Sequence, residues 1–77
     1  MPNYKIINTE TKGEIHIKEN SQYNNLKADR ITVAENVSVR LFGTINEVLV
    51  IRKGATVYLH GTINGKTENQ GGEIFIY

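Results

Sequence analysis

Val39-Arg40-Leu41-Phe42-Gly43-Thr44-Ile45-Asn46 and Val57-Tyr58-Leu59-His60-Gly61-Thr62-Ile63-Asn64 are one phrase written twice, with Val57 answering Val39 and Asn64 answering Asn46. A tighter rhythm of six runs through both copies: Val33, Val39, Ile45, Ile51, Val57 and Ile63 are all β-branched aliphatics. A helix has no use for that period, because six residues rotate its face by about 600° and scatter the six side chains around the axis. A β-coil built of three six-residue sides directs every one of these slots at a common axis. The stretch therefore predicts an all-β fold, a short parallel β-helix (β-solenoid) of about four coils of roughly 18 residues. The coil is expected to be right-handed, as crossovers between parallel strands nearly always are.

The coil register extends outward from this stretch. Ile31 and Val33 alternate, Glu35-Asn36 turns, and Val37, Val39 and Leu41 point inward; Leu49, Ile51, Lys53-Gly54, Ala55, Val57 and Leu59 repeat the sequence of events. Asn36 and Gly54 fall at equivalent corners, and they are the two residue types that best tolerate a left-handed backbone. Asn46 and Asn64 align as an amide ladder at another corner. Ile74 and Ile76 match Val57 and Leu59 one position short of the full repeat, so the last coil is expected to be distorted or incomplete. Residues 65–72 read as a polar turn.

Residues 1–30 fit the register less well. Tyr4, Ile6 and Ile7 form a short apolar piece, residues 8–13 a turn, and Ile15 and Ile17 alternate with Glu14, His16 and Lys18. This last piece resembles Glu73-Ile74-Phe75-Ile76 near the other end, so both are expected as outer rungs of one stack. Residues 19–30 break the rhythm and suggest a corner, a loop or a short helix, with Leu26 and Ala28 inward. The expected organisation is one domain over 1–77, with irregular coils in 1–30 and regular repeats in 31–77.

Composition narrows the function. A 77-residue globule is usually marginal in core size, but a repeating fold gains stability by burying each rung on the next. There is no cysteine, hence no disulfide and no thiolate metal site. Nine Lys and Arg against eight Asp and Glu give a formal charge of +1, without the basic stripe of a nucleic-acid binder. No apolar run approaches a membrane span and Met1-Pro2-Asn3-Tyr4 does not open a signal peptide, so a cytoplasmic location is expected.

The pattern Val-x-Val-x-Leu-x-Gly-Thr-Ile-Asn at 37–46 and Ala-x-Val-x-Leu-x-Gly-Thr-Ile-Asn-Gly at 55–65 resembles the bactofilins, polymer-forming bacterial proteins built as short right-handed parallel β-helices. The resemblance is a repeat texture over residues 31–77 and implies self-association. The six-residue rhythm is also similar to that of left-handed hexapeptide-repeat acyltransferases, with small residues at Gly43, Ala55, Gly61 and Thr67, although Leu49 departs from that rule.

No residues assemble a recognisable catalytic, cofactor or metal site. His16 and His60 both fall on outward positions, where no cleft holds a partner for them. The informative feature is the outer face. Stacking Val39 on Val57 and Val57 on Ile74 aligns Arg40 with Tyr58 and Phe75, and Phe42 with His60 and Tyr77. Arginine and aromatic residues dominate protein interfaces, whereas the same residues as cross-strand pairs simply stabilise a sheet, each by about 0.2–1 kcal/mol. The expectation is a non-enzymatic protein-binding module that self-associates or caps a partner through this face and an open solenoid end. The alternative is a small bacterial immunity protein that neutralises a toxin by direct binding. An acyltransferase-like enzyme ranks third.

Overall fold

The computed structural model describes residues 3–77, and its described residues contain seven strands and no helix: β1 Lys5–Ile7, β2 Thr11–Ile17, β3 Ser21–Val33, β4 Ser38–Ile51, β5 Thr56–Ile63, β6 Lys66–Asn69 and β7 Glu73–Ile76. The signal-peptide expectation falls partly on Met1 and Pro2, which lie outside the described residues. Every pairing is parallel. The long strands bend around corners, so that β3 and β4 each contribute to three sides of a β-solenoid of about four turns. The first side stacks five rungs: Lys5–Ile7, 21–23, 38–41, 56–59 and Glu73–Ile76. The second stacks 11–13, 26–28, 43–45 and 61–63; the third stacks 14–17, 30–33, 48–51 and Lys66–Asn69. Five rungs at about 4.8 Å span about 19 Å between backbones, which suits the overall extents of 25 × 24 × 22 Å.

The six-residue rhythm is the three-sidedness itself. Val33, Val39 and Ile45 occupy successive sides of one coil, and Ile51, Val57 and Ile63 occupy the same sides of the next. Val33, Val39, Ile45, Ile51 and Val57 are fully buried, whereas Ile63, on the last rung of its side, is half-buried. The inward columns bring like to like: Val39 over Val57 over Ile74, Leu41 over Leu59 over Ile76, Ile31 over Leu49, Val33 over Ile51.

Corners carry their own requirements. Asn36 has φ 62° and Gly54 φ 78°, the left-handed values expected of these two positions. A Cβ at Gly61 would overlap the Gly43 carbonyl oxygen, and one at Gly43 would overlap that of Leu26, so the backbones at this corner approach too closely for any side chain. At the second corner Asn64 donates to Asn46 (3.4 Å) and Asn46 to Asp29 (3.1 Å), extending the expected ladder by one member.

Three local expectations are corrected. For residues 19–30 the loop and helix alternatives are overturned and the corner stands: Ser21–Val33 is a continuous strand that turns at two irregularities, at Tyr23/Leu26 and Ala28/Arg30, with Leu26 and Ala28 buried as expected. The first is the Asn24-Asn25 bulge, fixed by Asn24 donating to Asn8 (2.6 Å) and accepting from Gln22 (2.9 Å). Tyr23 fills the inward slot that Leu41 and Leu59 fill below it. Burial pushes its phenol pKa above the ordinary 10.0, so its stabilising contribution is present below that value and is lost as pH rises through the folded one. The turn at 8–13 is shorter than expected, since β2 starts at Thr11. The polar run 65–72 contains β6, which pairs with Val48–Ile51; Asn69 then closes the turn by accepting from the amides of Gly71 (3.0 Å) and Gly72 (2.8 Å). The two segments expected as outer rungs do lie at opposite ends of the stack, Ile15 and Ile17 on the third side and Ile74 and Ile76 on the first.

Val57 sits at the centre of this packing, with Val39 above and Ile74 below. An aspartate there would place an uncompensated charge in a dry core. Val57→Asp is expected to abolish the β-rich circular-dichroism spectrum under conditions that leave the parent folded. Ile45→Val, which removes one methylene from a fully buried site, is expected to cost about 1 kcal/mol in a denaturant titration.

Candidate interaction surface

The outward positions of the first side form two columns. Arg40, Tyr58 and Phe75 pair in register, and Phe42 pairs with His60. Tyr77 continues the second column, its amide bonded to the Leu59 carbonyl (2.9 Å). All six residues expected on one face therefore lie on one face. Their packing is beyond what spacing encodes. Phe42 stacks on His60 with centroids 4.5 Å apart and planes 6° from parallel; His60 stacks on Tyr77 at 4.5 Å and 9°; Tyr58 stacks on Phe75 at 5.4 Å and 15°. Arg40 lies over the ring of Tyr4, 4.4 Å from its centroid, and the Tyr4 hydroxyl meets the Ser38 hydroxyl at 2.7 Å.

Parallel stacking commits the flat faces of these rings to one another. A planar ligand or sugar ring therefore finds ring edges along the middle of the face, not open planes. Phe42 and Tyr58 are half-buried by this arrangement. On the inner rungs the rings thus make cross-strand stacking contacts. Exposure rises toward the last rung, where Phe75 is 41%, Ile76 64% and Tyr77 68% exposed. At the opposite end Ile6 is 52% exposed. Ile6 and Tyr4 belong to this face and were missed in the sequence. The coil from Lys5 to Ser21 is shorter than the one from Ser21 to Val39, so a template of constant length misplaces them.

The first end of the stack holds a hollow of about 310 Å³ lined by Ile7, Ile17 and Tyr23 together with Lys5, His16 and Lys18. Around it Lys5 pairs with Glu19 (3.4 Å) and His16 with Glu14 (3.6 Å), all with well-exposed side chains. The nearby Ser21 hydroxyl donates to the Glu19 carbonyl (2.8 Å). Glu10 joins Lys12 (2.9 Å) and Lys27 (3.3 Å) on the second side; the hydrogen bond from Lys12, then that from Lys27, holds its carboxyl below the usual carboxylate range. Among the described residues no group of three or more His, Cys, Asp or Glu side chains is placed to hold a metal ion, and no helix is long and apolar enough to cross a membrane.

No family model matches the chain, and neither a curated protein nor a solved structure does. The stacked parallel sheet is consistent with a β-helix texture, and no family match supports a bactofilin identity.

The two histidines are expected to separate in a stability measurement. His60 is sandwiched between two rings, and each aromatic contact contributes about 0.5–1.5 kcal/mol where well packed, less at an exposed site. His60→Ala is expected to destabilise by about 1 kcal/mol in urea unfolding, and His60→Phe to recover the loss. His16→Ala is expected to stay within about 0.5 kcal/mol of the parent.

Proposed function

We propose that this chain is a non-enzymatic protein-binding module that self-associates through the terminal rungs of its solenoid. One observation carries the reading: the exposed large apolar side chains among the described residues, Ile6, Phe75, Ile76 and Tyr77, lie on or directly beside the first and last rungs of a single side. The inner rungs of that side bury or stack their equivalents. The terminal strands also pair on one edge alone: β1 and β2 with β3, β6 with β4, β7 with β5. Their other edges offer N–H and C=O groups to an added strand, a mode in which backbone hydrogen bonds supply affinity and alternate side chains supply register. The bactofilin resemblance supports the same reading, since it implies assembly of one chain with itself.

A second reading is favoured by the breadth of the first side. Arg40, Phe42, Tyr58 and His60 present a guanidinium and three ring edges on one surface, the residue types of a contact with a different protein, as in an immunity protein bound to its toxin.

Light scattering across a concentration series separates the two. Ile76→Lys places a charge on the exposed terminal strand without entering the core, and is expected to weaken self-association at least about tenfold, equivalent to about 1.4 kcal/mol, with little change in Tm. Phe42→Ala and Tyr58→Ala are expected to leave self-association unchanged and to cost about 1 kcal/mol of stability each. A parent chain that stays monomeric at millimolar concentration overturns self-association. The second reading then gains if the aromatic truncations weaken binding to a foreign protein.

A further inference from the structure

Charge pairing over the surface leaves one corner unmatched. Among the described residues Lys5, Lys12, Lys27, Arg30 and Lys66 each face a carboxylate, and Arg40 lies over the Tyr4 ring. The lysines and arginines with neither kind of partner are Lys18, Arg52 and Lys53, and all three stand at the corner between the third side and the first. Register sets two of them around a gap. Ile17 pairs with Val33 and Val33 with Ile51; just beyond, the Ala34 amide donates to the Ile17 carbonyl (2.9 Å) and the Arg52 amide to that of Val33 (3.1 Å). Lys18, Ala34 and Arg52 are therefore successive members of one column, two long cationic side chains with a methyl between them. Two rungs hold their backbones about 10 Å apart. His16, Thr32 and Val50 form the neighbouring outward column. The small side chain of Ala34 leaves a notch of about 210 Å³, lined by Lys18, Arg52, Thr32, Ala34, His16 and Ile17. No carboxylate lines it. His16 leans to Glu14 (3.6 Å), and Glu35, next to Ala34, holds the corner position equivalent to Lys53 and not to Arg52.

We infer that this notch binds a tetrahedral oxyanion of the phosphate class, held by Lys18 from above, Arg52 from below and the Thr32 hydroxyl from beside. The guanidinium offers parallel N–H groups to two oxygens, and the ammonium brings a compact charge to a third. The hydroxyl donates to an oxygen that these two leave open. A carboxylate, with two oxygens in one plane, does not satisfy donors that arrive from three directions. The Ala34 methyl between the two cations makes no competing hydrogen bond. With the notch empty the two cations repel each other across it, and a bound dianion turns that repulsion into two attractions. The site is independent of the self-association reading, since no residue of β1 or β7 lines it.

The experiment titrates the isotope-labelled full chain with sodium phosphate at constant ionic strength and follows the backbone amide resonances. Saturable shifts are expected at Thr32, Ala34 and Arg52. Lys18→Gln and Arg52→Gln alter exposed side chains, so the rest of the spectrum is expected to match the parent and report an intact fold. Each is expected to weaken phosphate binding about fivefold or more. Lys53→Gln removes the same charge at the same corner but outside the notch, and is expected to leave the affinity within about twofold. A titration without saturation overturns the site. So does a Lys53→Gln loss as large as that of Arg52→Gln, which would mean diffuse attraction to a charged corner. Sodium acetate at equal ionic strength is expected to give no saturable shift, and acetate binding as tightly as phosphate overturns the tetrahedral assignment. Glycerol phosphate separates two sources of the same group. Binding equal to that of inorganic phosphate assigns the notch to phosphate monoesters, and binding of inorganic phosphate alone assigns it to the free ion.

Discussion

A parallel stack in constant register allows each side chain to be judged by what lies one coil above and below it. Backbone hydrogen bonds hold the rungs at a fixed spacing, and the close approach at Gly43 and Gly61 leaves no room for adjustment at that corner. The inward columns are consequently uniform in shape: valine over valine, leucine over leucine. The outward columns obey the same constraint with different chemistry, giving ring over ring and amide over amide. Between Ser38 and Ile63, where the register is unbroken, core, corners and face are thus three expressions of one repeat distance.

This constraint explains what was legible in the sequence. Val39–Asn46 and Val57–Asn64 show their period because every slot is filled by the residue type that the slot requires. Asn36 and Gly54 announced a left-handed corner for a backbone reason that needs no knowledge of neighbours. The segments that escaped are those in which tertiary pairing overrides local pattern. Ser21–Val33 contains Tyr23 where a leucine is expected, and Asn24-Asn25 where the next coil has Phe42 alone, so its inward slots fall out of step with a fixed count. Lys66–Asn69 has Thr67 and Asn69 at inward positions, and only its pairing to Val48–Ile51 makes it a strand.

The interaction surface was legible to a similar depth. Register placed Arg40, Phe42, Tyr58, His60, Phe75 and Tyr77 together, since period-two alternation fixes the side of a strand on which a residue stands. Ring orientation depends on χ angles and on neighbours, which no spacing encodes. Arg40 and His60 remain exposed in the middle of the face, but the exposed large apolar side chains stand on or beside the terminal rungs, whose strands pair on one edge alone. This shifts attention from an aromatic patch on the flank to the two terminal rungs, where Ile6 and Ile76 stand uncovered.

The near-identity of the two central phrases has a kinetic consequence. Leu26–Ala28 stacks on Gly43–Ile45, and Gly43–Ile45 stacks on Gly61–Ile63. Because Gly-Thr-Ile-Asn occurs at both 43–46 and 61–64, the segment above offers either copy an equally shaped seat. A refolding chain can place the second copy where the first belongs and loop out the whole coil between them. Lengthening a loop adds little entropic penalty, since each doubling costs only about 0.6 kcal/mol. The slipped state forfeits a full coil of burial and is not a competitor at equilibrium. As a transient it must unstack before the native register forms, so the repetition that makes this fold readable also makes it prone to a one-coil misalignment while it is being built.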